Sequence, residues 1–445
     1  KEQDTCQKHL PKQCRTSLSS LLMKLAIMTR LQQSMIALGV FCMATLLMGG
    51  YHVADTYQSS HALEGAMSAA TERAGEAPAE SCVVSMLSGK SLSPAYALGS
   101  LVLAHSFRVH TKLRPRPKLV LIHDGHVASE IVNSQRNATL IDMIEETGIW
   151  DEVIEMPAPQ GIEGSPVHKE FAPLLFKLNA WRLEKRCKRI LWIGTDSIVV
   201  GNIDNLFSSP AIPAGVPDMF IWKTFWLSSA VNGDFFLFEP SLNEFKKLMT
   251  IVSTSSWEDL AHVQGAGPVD QGIINKNYNY DMYVLPWFYS VEPLGIVEHF
   301  YRDRRTGTAV SKIYSKNTRE PIPKLFLDIV ATQLNMTGSV LLDGSWNGDS
   351  PFTGEDWLTL EEKRALMVLK DRKKWKTIHY ANWNFKPWKN GRGDEYKNDR
   401  LTNYFFYIWD DVCVDLVTNY PSVSRNFGPF EGYCLPSSER IFQRK

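Results

Sequence analysis

Asp196 follows the hydrophobic run at 189–193, inside Gly194-Thr195-Asp196-Ser197, and a second apolar run, Ile198-Val199-Val200, comes at once. That pattern predicts a strand entering a short polar loop. In open α/β sheets, ligands bind beyond the carboxyl ends of strands. A carboxylate at such a place can hold a divalent metal on a phosphate-bearing ligand, because hard cations take oxygen donors. The plainer role for such an Asp is to cap its own turn. Other chemistries lack their signals. Gly89-Lys90-Ser91 has no upstream glycine to make a P-loop. Gly161-Ile162-Glu163-Gly164-Ser165 lacks the preceding strand of a nucleophile elbow. No two carboxylates stand out as the flanks of a hydrolase cleft.

A strand-end loop needs a sheet to carry it, and the flanking pattern supplies one. Residues 82–87 suit a buried strand, and 95–109 have helical apolar spacing. Residues 118–123 form another apolar run, 139–147 a helix, 150–155 a strand, and 171–183 a helix leading to the strand before Asp196. In 241–252, Leu242, Phe245, Leu248, Met249 and Val252 share one helical face. Alternating strands and helices imply a mainly parallel sheet covered on both faces.

The loop and its flank, Asn202-Ile203-Asp204-Asn205-Leu206-Phe207, resemble the metal loop of the glycogenin-like family-8 glycosyltransferases. That family reads Asp-x-Asp, then apolar residues, then Asn-Ile-Asp-x-Leu-Phe. Here Asp196 is the second Asp, and Gly194 stands at the first. Five further elements occur in the family's order: Tyr96 to Leu103, Phe176 to Leu183, Asn232-Gly233-Asp234 with Phe235 to Ser241, Asp270-Gln271-Gly272, and His379 to Trp388. Asp234 departs from the small residue usual at its position, and the last segment is one residue longer and lacks the family's glycine. The resemblance spans about residues 82 to 390.

The resemblance implies a single α/β GT-A (Rossmann-like) domain with a mainly parallel central sheet. It implies a retaining transfer of sugar from a UDP-sugar to a glycan, protein or lipid acceptor. Breaking the anomeric bond puts charge on the leaving diphosphate, which a metal and cations stabilise. By position, Asp196 and His379 become metal ligands for Mn²⁺ or Mg²⁺. Thr195, Ser197 or water would fill in for the carboxylate absent at Gly194, and a Gly194→Asp change should tighten metal binding, provided the loop follows the family's path. Lys177 and Lys386 become cations for the diphosphate. Lys177, Asp270 and Gln271 form the catalytic set near the reacting sugar face. Tyr96, Asn232, Asp234 and Lys386 become donor-binding. The competing reading is a non-catalytic relative, a binding or scaffold protein that lost metal chemistry through Gly194. A lumenal hydrolase is a third.

Formal charge is balanced at 48 basic and 48 acidic residues, which argues against a nucleic-acid partner. The uncharged run at 31–51 is 21 residues long, about 31 Å as a helix, enough for one hydrocarbon core. Lys1, Lys8, Lys12, Arg15, Lys24 and Arg30 precede it against Glu2 and Asp4, which orients the N-terminus to the cytosol. The expected layout is a cytosolic tail (1–30), a transmembrane signal anchor (31–51), a stem (52–80), the GT-A domain (81–395, with an insertion at 300–350) and a C-terminal extension (396–445) packed on it. That is a type II, single-pass Golgi membrane protein with its catalytic domain in the lumen. A cleaved signal peptide is the alternative. Of seven cysteines, no pair has metal-site spacing, and Cys413 and Cys434 are the expected disulfide on proximity. Asn137-Ala138-Thr139 and Asn335-Met336-Thr337 are glycosylation sequons.

Overall fold

Apolar side chains alternate between two cores along β1 (Ser81–Leu87). Val83 and Leu87 enter one cluster, and Cys82 and Val84 enter the other. β2 (Lys118–His123) and β4 (Arg189–Ile193) divide the same way, with Leu119, Leu121, Leu191 and Ile193 on one face and Val120, Ile122, Ile190 and Trp192 on the opposite one. Strands buried on both faces read as continuous apolar runs, which is why all three are visible in the sequence. The chain is described here from a computed structural model, at residues 80–89, 94–125, 131–133, 138–159, 172–217, 230–256, 269–279, 281–293, 372–381, 386–388, 400–427 and 434. The expected tail, anchor and stem lie outside the described residues, apart from residue 80, and so does the expected insertion at 300–350. Among the described residues, no helix is long and apolar enough to cross a membrane.

Further strands are β3 (Glu152–Glu155), β5 (Ser197–Val199), β6 (Ala214–Pro217), β7 (Val231–Phe238), β8 (Tyr283–Val284) and β9 (Thr377–His379). Among the described residues, seven strands form one sheet in the order β8-β6-β7-β4-β1-β2-β3, β5 pairs with β9, and two short strands, Ile131–Asn133 and Ala138–Thr139, pair with each other. Within the sheet of seven, β7 alone runs against its neighbours β4 and β6; the other pairs are parallel. The sheet is therefore mixed α/β and mainly parallel, as expected. From β1 the chain winds outward through α1 (Pro94–His110) and α2 (Leu140–Thr147), then returns to the opposite side of β1 with β4. That reversal is a topological switch point, and ligands bind at the carboxyl ends of such strands.

Element ends follow local chemistry. Thr139 caps α2 rather than starting it: its side chain and Asp142 make a reciprocal capping box, and Gly148 closes the helix with φ 62°. The expected helix at 171–183 is a 3₁₀ segment, Ala172–Leu183, and Trp181 in it stacks on Phe238 at 4.0 Å. α3 (Leu242–Thr254) buries Leu248 and Val252. Leu242, expected on that inner face, is 41% exposed, because it is the first residue of the helix and its N–H is turned to Glu184. α4 (Asp270–Asn277) packs on α3 and β7.

α5 (Arg400–Asn419) joins the core of α1 through Phe405, Phe406, Trp409, Cys413 and Leu416, and α6 (Pro421–Phe427) packs on α2. Cys413 and Cys434 are bonded as expected. A second disulfide, Cys82–Cys187, ties the start of β1 to the turn before β4 with Cα atoms 5.8 Å apart. Its partners lie 105 residues apart, and no spacing rule connects them.

Candidate metal and donor site

β4 ends at Ile193, and a tight turn follows in which Ser197 N–H donates to Gly194 O at 3.0 Å. β5 then leaves the sheet and pairs antiparallel with β9, so that His379 stands opposite Ser197. Tyr380 N–H donates to the Asp196 carbonyl at 2.8 Å and closes the loop over this ribbon. Two residues far apart in sequence, Asp196 and His379, thus meet at the carboxyl end of β4. His379 Nε2 lies 3.5 Å from Asp196 Oδ1 and 3.2 Å from Asp234 Oδ2.

Asp234 is the member that its expected role did not place here. β7 runs antiparallel to β4, with Phe235 opposite Ile193, and Gly194 N–H donates to the Asp234 carbonyl at 2.9 Å. Its carboxylate leans over Gly194. A Cβ on Gly194 would lie 2.8 Å from Asp196 Oδ1 and 3.1 Å from Asp234 Cγ. A side chain at 194 would crowd both carboxylates and make them shift.

Asp196, Asp234 and His379 offer ligand atoms all within 4.8 Å of one another, the one such group of three among the described residues. Two carboxylate oxygens and an imidazole nitrogen suit Mn²⁺ and Mg²⁺ better than soft metals. Charge fits as well. Asp196, Asp234, Asp270 and Glu292 are four carboxylates against two ammonium groups, Lys177 and Lys386. Four minus two leaves two negative charges when His379 is neutral, the charge that a divalent ion balances.

Burial alone would lower the His379 pKa, but Asp196, Asp234 and Glu292 raise it well above the usual histidine value. Burial would raise the Asp196 carboxyl; Lys386 and His379 outweigh it and hold the group at about 2. Asp234 is likewise held well below the ordinary carboxylate range, with Lys177 and His379 overcoming burial. Burial, then the charges of Asp196 and Asp234, push the Tyr96 phenol up, so it stays neutral. Tyr96 meets Trp388 edge to face at 5.3 Å.

Both lysines reach the site, each held by protein oxygens. Lys386 Nζ donates to Asp196 and, at 2.5 Å, to Tyr380 O. Lys177 is buried above the Trp192 ring, 5.5 Å from its centroid. Its three donors meet Gly233 O at 2.8 Å, Asp234 Oδ1 at 2.6 Å and Asp270. Burial opposes the charge on Lys177, yet the two carboxylates raise its pKa. The ammonium joins the metal group to α4.

Asp270 opens α4, and Gln271 Oε1 accepts from Gly233 N at 3.0 Å. A Cβ on Gly233 would come within 3.0 Å of Asp270 Oδ2 and 3.3 Å of the Gln271 Cα, so this close approach needs glycine. Asn232, expected on sugar hydroxyls, is buried and engaged by protein at both ends. Its Nδ2 donates to Glu292 Oε1 at 2.6 Å, and its Oδ1 accepts from Asp234 N at 2.7 Å. Glu292 also lies 3.5 Å from His379 Nδ1. The sequence carries no signal for Glu292, an acid between Val291 and Pro293 without a motif.

No family model matches this chain, and no curated protein does. Among solved structures, the chain is similar to the bifunctional glycosyltransferase WbbM, with TM-score 0.39 and 13% identity over 79% of this chain and 52% of that one. It thus spans about half the length of that protein. It is similar to the galactosyltransferase LgtC solved with donor and acceptor sugar analogues, with TM-score 0.40 and 12% identity over 78% of this chain and 99% of that one. A third similarity is to the mannosyltransferase PcManGT from Pyrobaculum calidifontis with GDP-Man and Mn²⁺, at TM-score 0.29 and 10% identity over 83% and 92%. At these scores and identities none of the three decides what this chain does.

Proposed function

We propose that this chain is a retaining glycosyltransferase of the GT-A, glycogenin-like family-8 type. It moves sugar from a UDP-sugar to a glycan, protein or lipid acceptor. The observation that carries the reading is the convergence of Asp196, Asp234 and His379 at the carboxyl end of β4, between two lysines. These three residues would hold Mn²⁺ or Mg²⁺. When bound, the ion supplies charge stabilisation to the leaving diphosphate. Lys386 brings a second positive charge to the same edge of the site. Lys177 fixes Asp234 on the metal side and Asp270 on the α4 side with one ammonium. Asp270 and Gln271 then face the reacting sugar, and Tyr96 and Trp388 form an aromatic wall for the donor. Retention follows if the acceptor enters on the face that the diphosphate leaves, with these groups orienting the sugar. The lumenal, Golgi-anchored placement is part of the same proposal. Two disulfides support an oxidising compartment.

One observation favours a second reading, a non-catalytic nucleotide-binding relative. Lys386 and His379 already neutralise Asp196 and Asp234 within the protein itself. Calorimetric titration of UDP with Mn²⁺ and with chelator separates the two. The catalytic reading expects Mn²⁺ to strengthen UDP binding, and a panel of UDP-sugars to contain one that is turned over. Binding equal in both conditions, with no turnover, would establish the non-catalytic reading.

A further inference from the structure

Glu292 is the carboxylate of the site that the chemistry above leaves without work. It is 1% exposed. Taking a carboxylate out of water is costly unless its partners compensate. Two of its partners lead to the metal group. Oε1 lies 3.5 Å from Nδ1 of His379, while Nε2 of the same ring faces Asp196 and Asp234. Oε1 also accepts from Asn232, whose side-chain oxygen holds the Asp234 backbone N–H at 2.7 Å. Backbone pairing fixes this arrangement. Val291 N–H donates to Thr377 O at 3.0 Å, and His379 N–H donates to Val291 O at 2.8 Å.

We propose that Glu292 is a positioning residue for the metal site. Its charge faces Nδ1 of His379 at 3.5 Å, an ion-pair distance, so that Nε2 is the nitrogen presented to the ion. Through Asn232 the same carboxylate also sets the backbone from which Asp234 projects. One buried carboxylate thus aligns two of the three ligands without touching the ion. Metal-bound histidines commonly give their second N–H to such a group, which orients the ring and makes the ligand more basic. The inference rests on the metal reading above.

The test measures Mn²⁺ binding without donor, from the paramagnetic resonance of free Mn²⁺, together with melting temperature and UDP binding in chelator. Glu292→Gln keeps the size and removes the charge beside Nδ1. Its Kd for Mn²⁺ should rise about 10–100-fold, with melting temperature and metal-free UDP binding close to wild type. Glu292→Asp keeps the charge and should recover part of the loss. Wild-type Mn²⁺ affinity in Glu292→Gln overturns the inference. So does a Glu292→Gln protein whose affinity and melting temperature fall together while Glu292→Asp is no better, since that is a packing role. If Glu292→Gln does not fold, Glu292→Asp decides: a weaker Mn²⁺ affinity at unchanged melting temperature supports the inference, and an unchanged affinity overturns it. A wild type that binds no Mn²⁺ overturns the metal reading first, and this inference with it.

Discussion

Asp234 fills the space that a side chain at Gly194 would need. The two backbones are joined by a 2.9 Å hydrogen bond, and a Cβ on Gly194 would stand 3.2 Å from that of Asp234. Side chains at facing positions of paired antiparallel strands lie about 4.5–5.5 Å apart, so one strand can supply a group that its neighbour lacks. β7 thus places a carboxylate beside position 194 at the end of β4.

Exchange between those two positions is therefore testable. Asp234→Ala should weaken Mn²⁺ binding by at least about 10–100-fold, since loss even of a partner outside the ligand set costs that much. Gly194→Asp alone should weaken it too, because two carboxylates would crowd one space. The double variant Gly194→Asp, Asp234→Ala should bind better than either single. Calorimetry with Mn²⁺ reads the three, and a double variant no better than Asp234→Ala would sink the exchange.

Lys177 should matter to folding as well as to turnover. Lys177→Met leaves Asp234 and Asp270 without their shared ammonium. Breaking a buried pair this way costs about 3–5 kcal/mol. The low end applies, because the Asp234 side chain is 33% exposed. Urea denaturation of the metal-free protein measures the loss. Unchanged stability with a fallen kcat would return Lys177 to a direct role on the donor.

Acid should unfold the metal-free protein along a limb to which both Asp196 and Asp234 contribute. The Asp196 carboxyl falls from 3.8 to about 2 on folding. Between those values the unfolded chain binds the proton and the folded one does not, so stability rises with pH there. The contribution is complete above about pH 4 and is lost as the pH falls towards 2. Asp196→Asn should flatten this limb in urea midpoints measured from pH 2 to 6. His379 acts with the opposite sign: its pKa is raised, so its contribution is present in acid and is lost as pH rises through the folded value.

Cys82–Cys187 closes a long loop at the end of β1 remote from the site. Cys82→Ser should lower stability by typically 2–4 kcal/mol, through a less constrained unfolded chain. Mn²⁺ affinity should not change. Parallel melts and Mn²⁺ titrations of this variant check both halves, and a fall in metal affinity would refute the separation of bond and site.

The sequence by itself determined the strands at 82–87, 118–123 and 189–193, because strands buried on both faces must be apolar along their whole length. It also determined the polar loop at Asp196, and it marked Lys177, Asp270, Lys386 and His379 through ordered local motifs. What it could not hold was which groups meet. Asp234 reaches the metal group because β7 pairs antiparallel with β4 in the register that sets Phe235 against Ile193. Glu292 reaches His379 because its segment hydrogen-bonds to β9. Cys82 finds Cys187 because β1 and β4 start side by side. Periodicity is written in neighbours a few residues apart, whereas register is settled by which pairing buries both sheet faces at once. Only the assembled tertiary structure decides that.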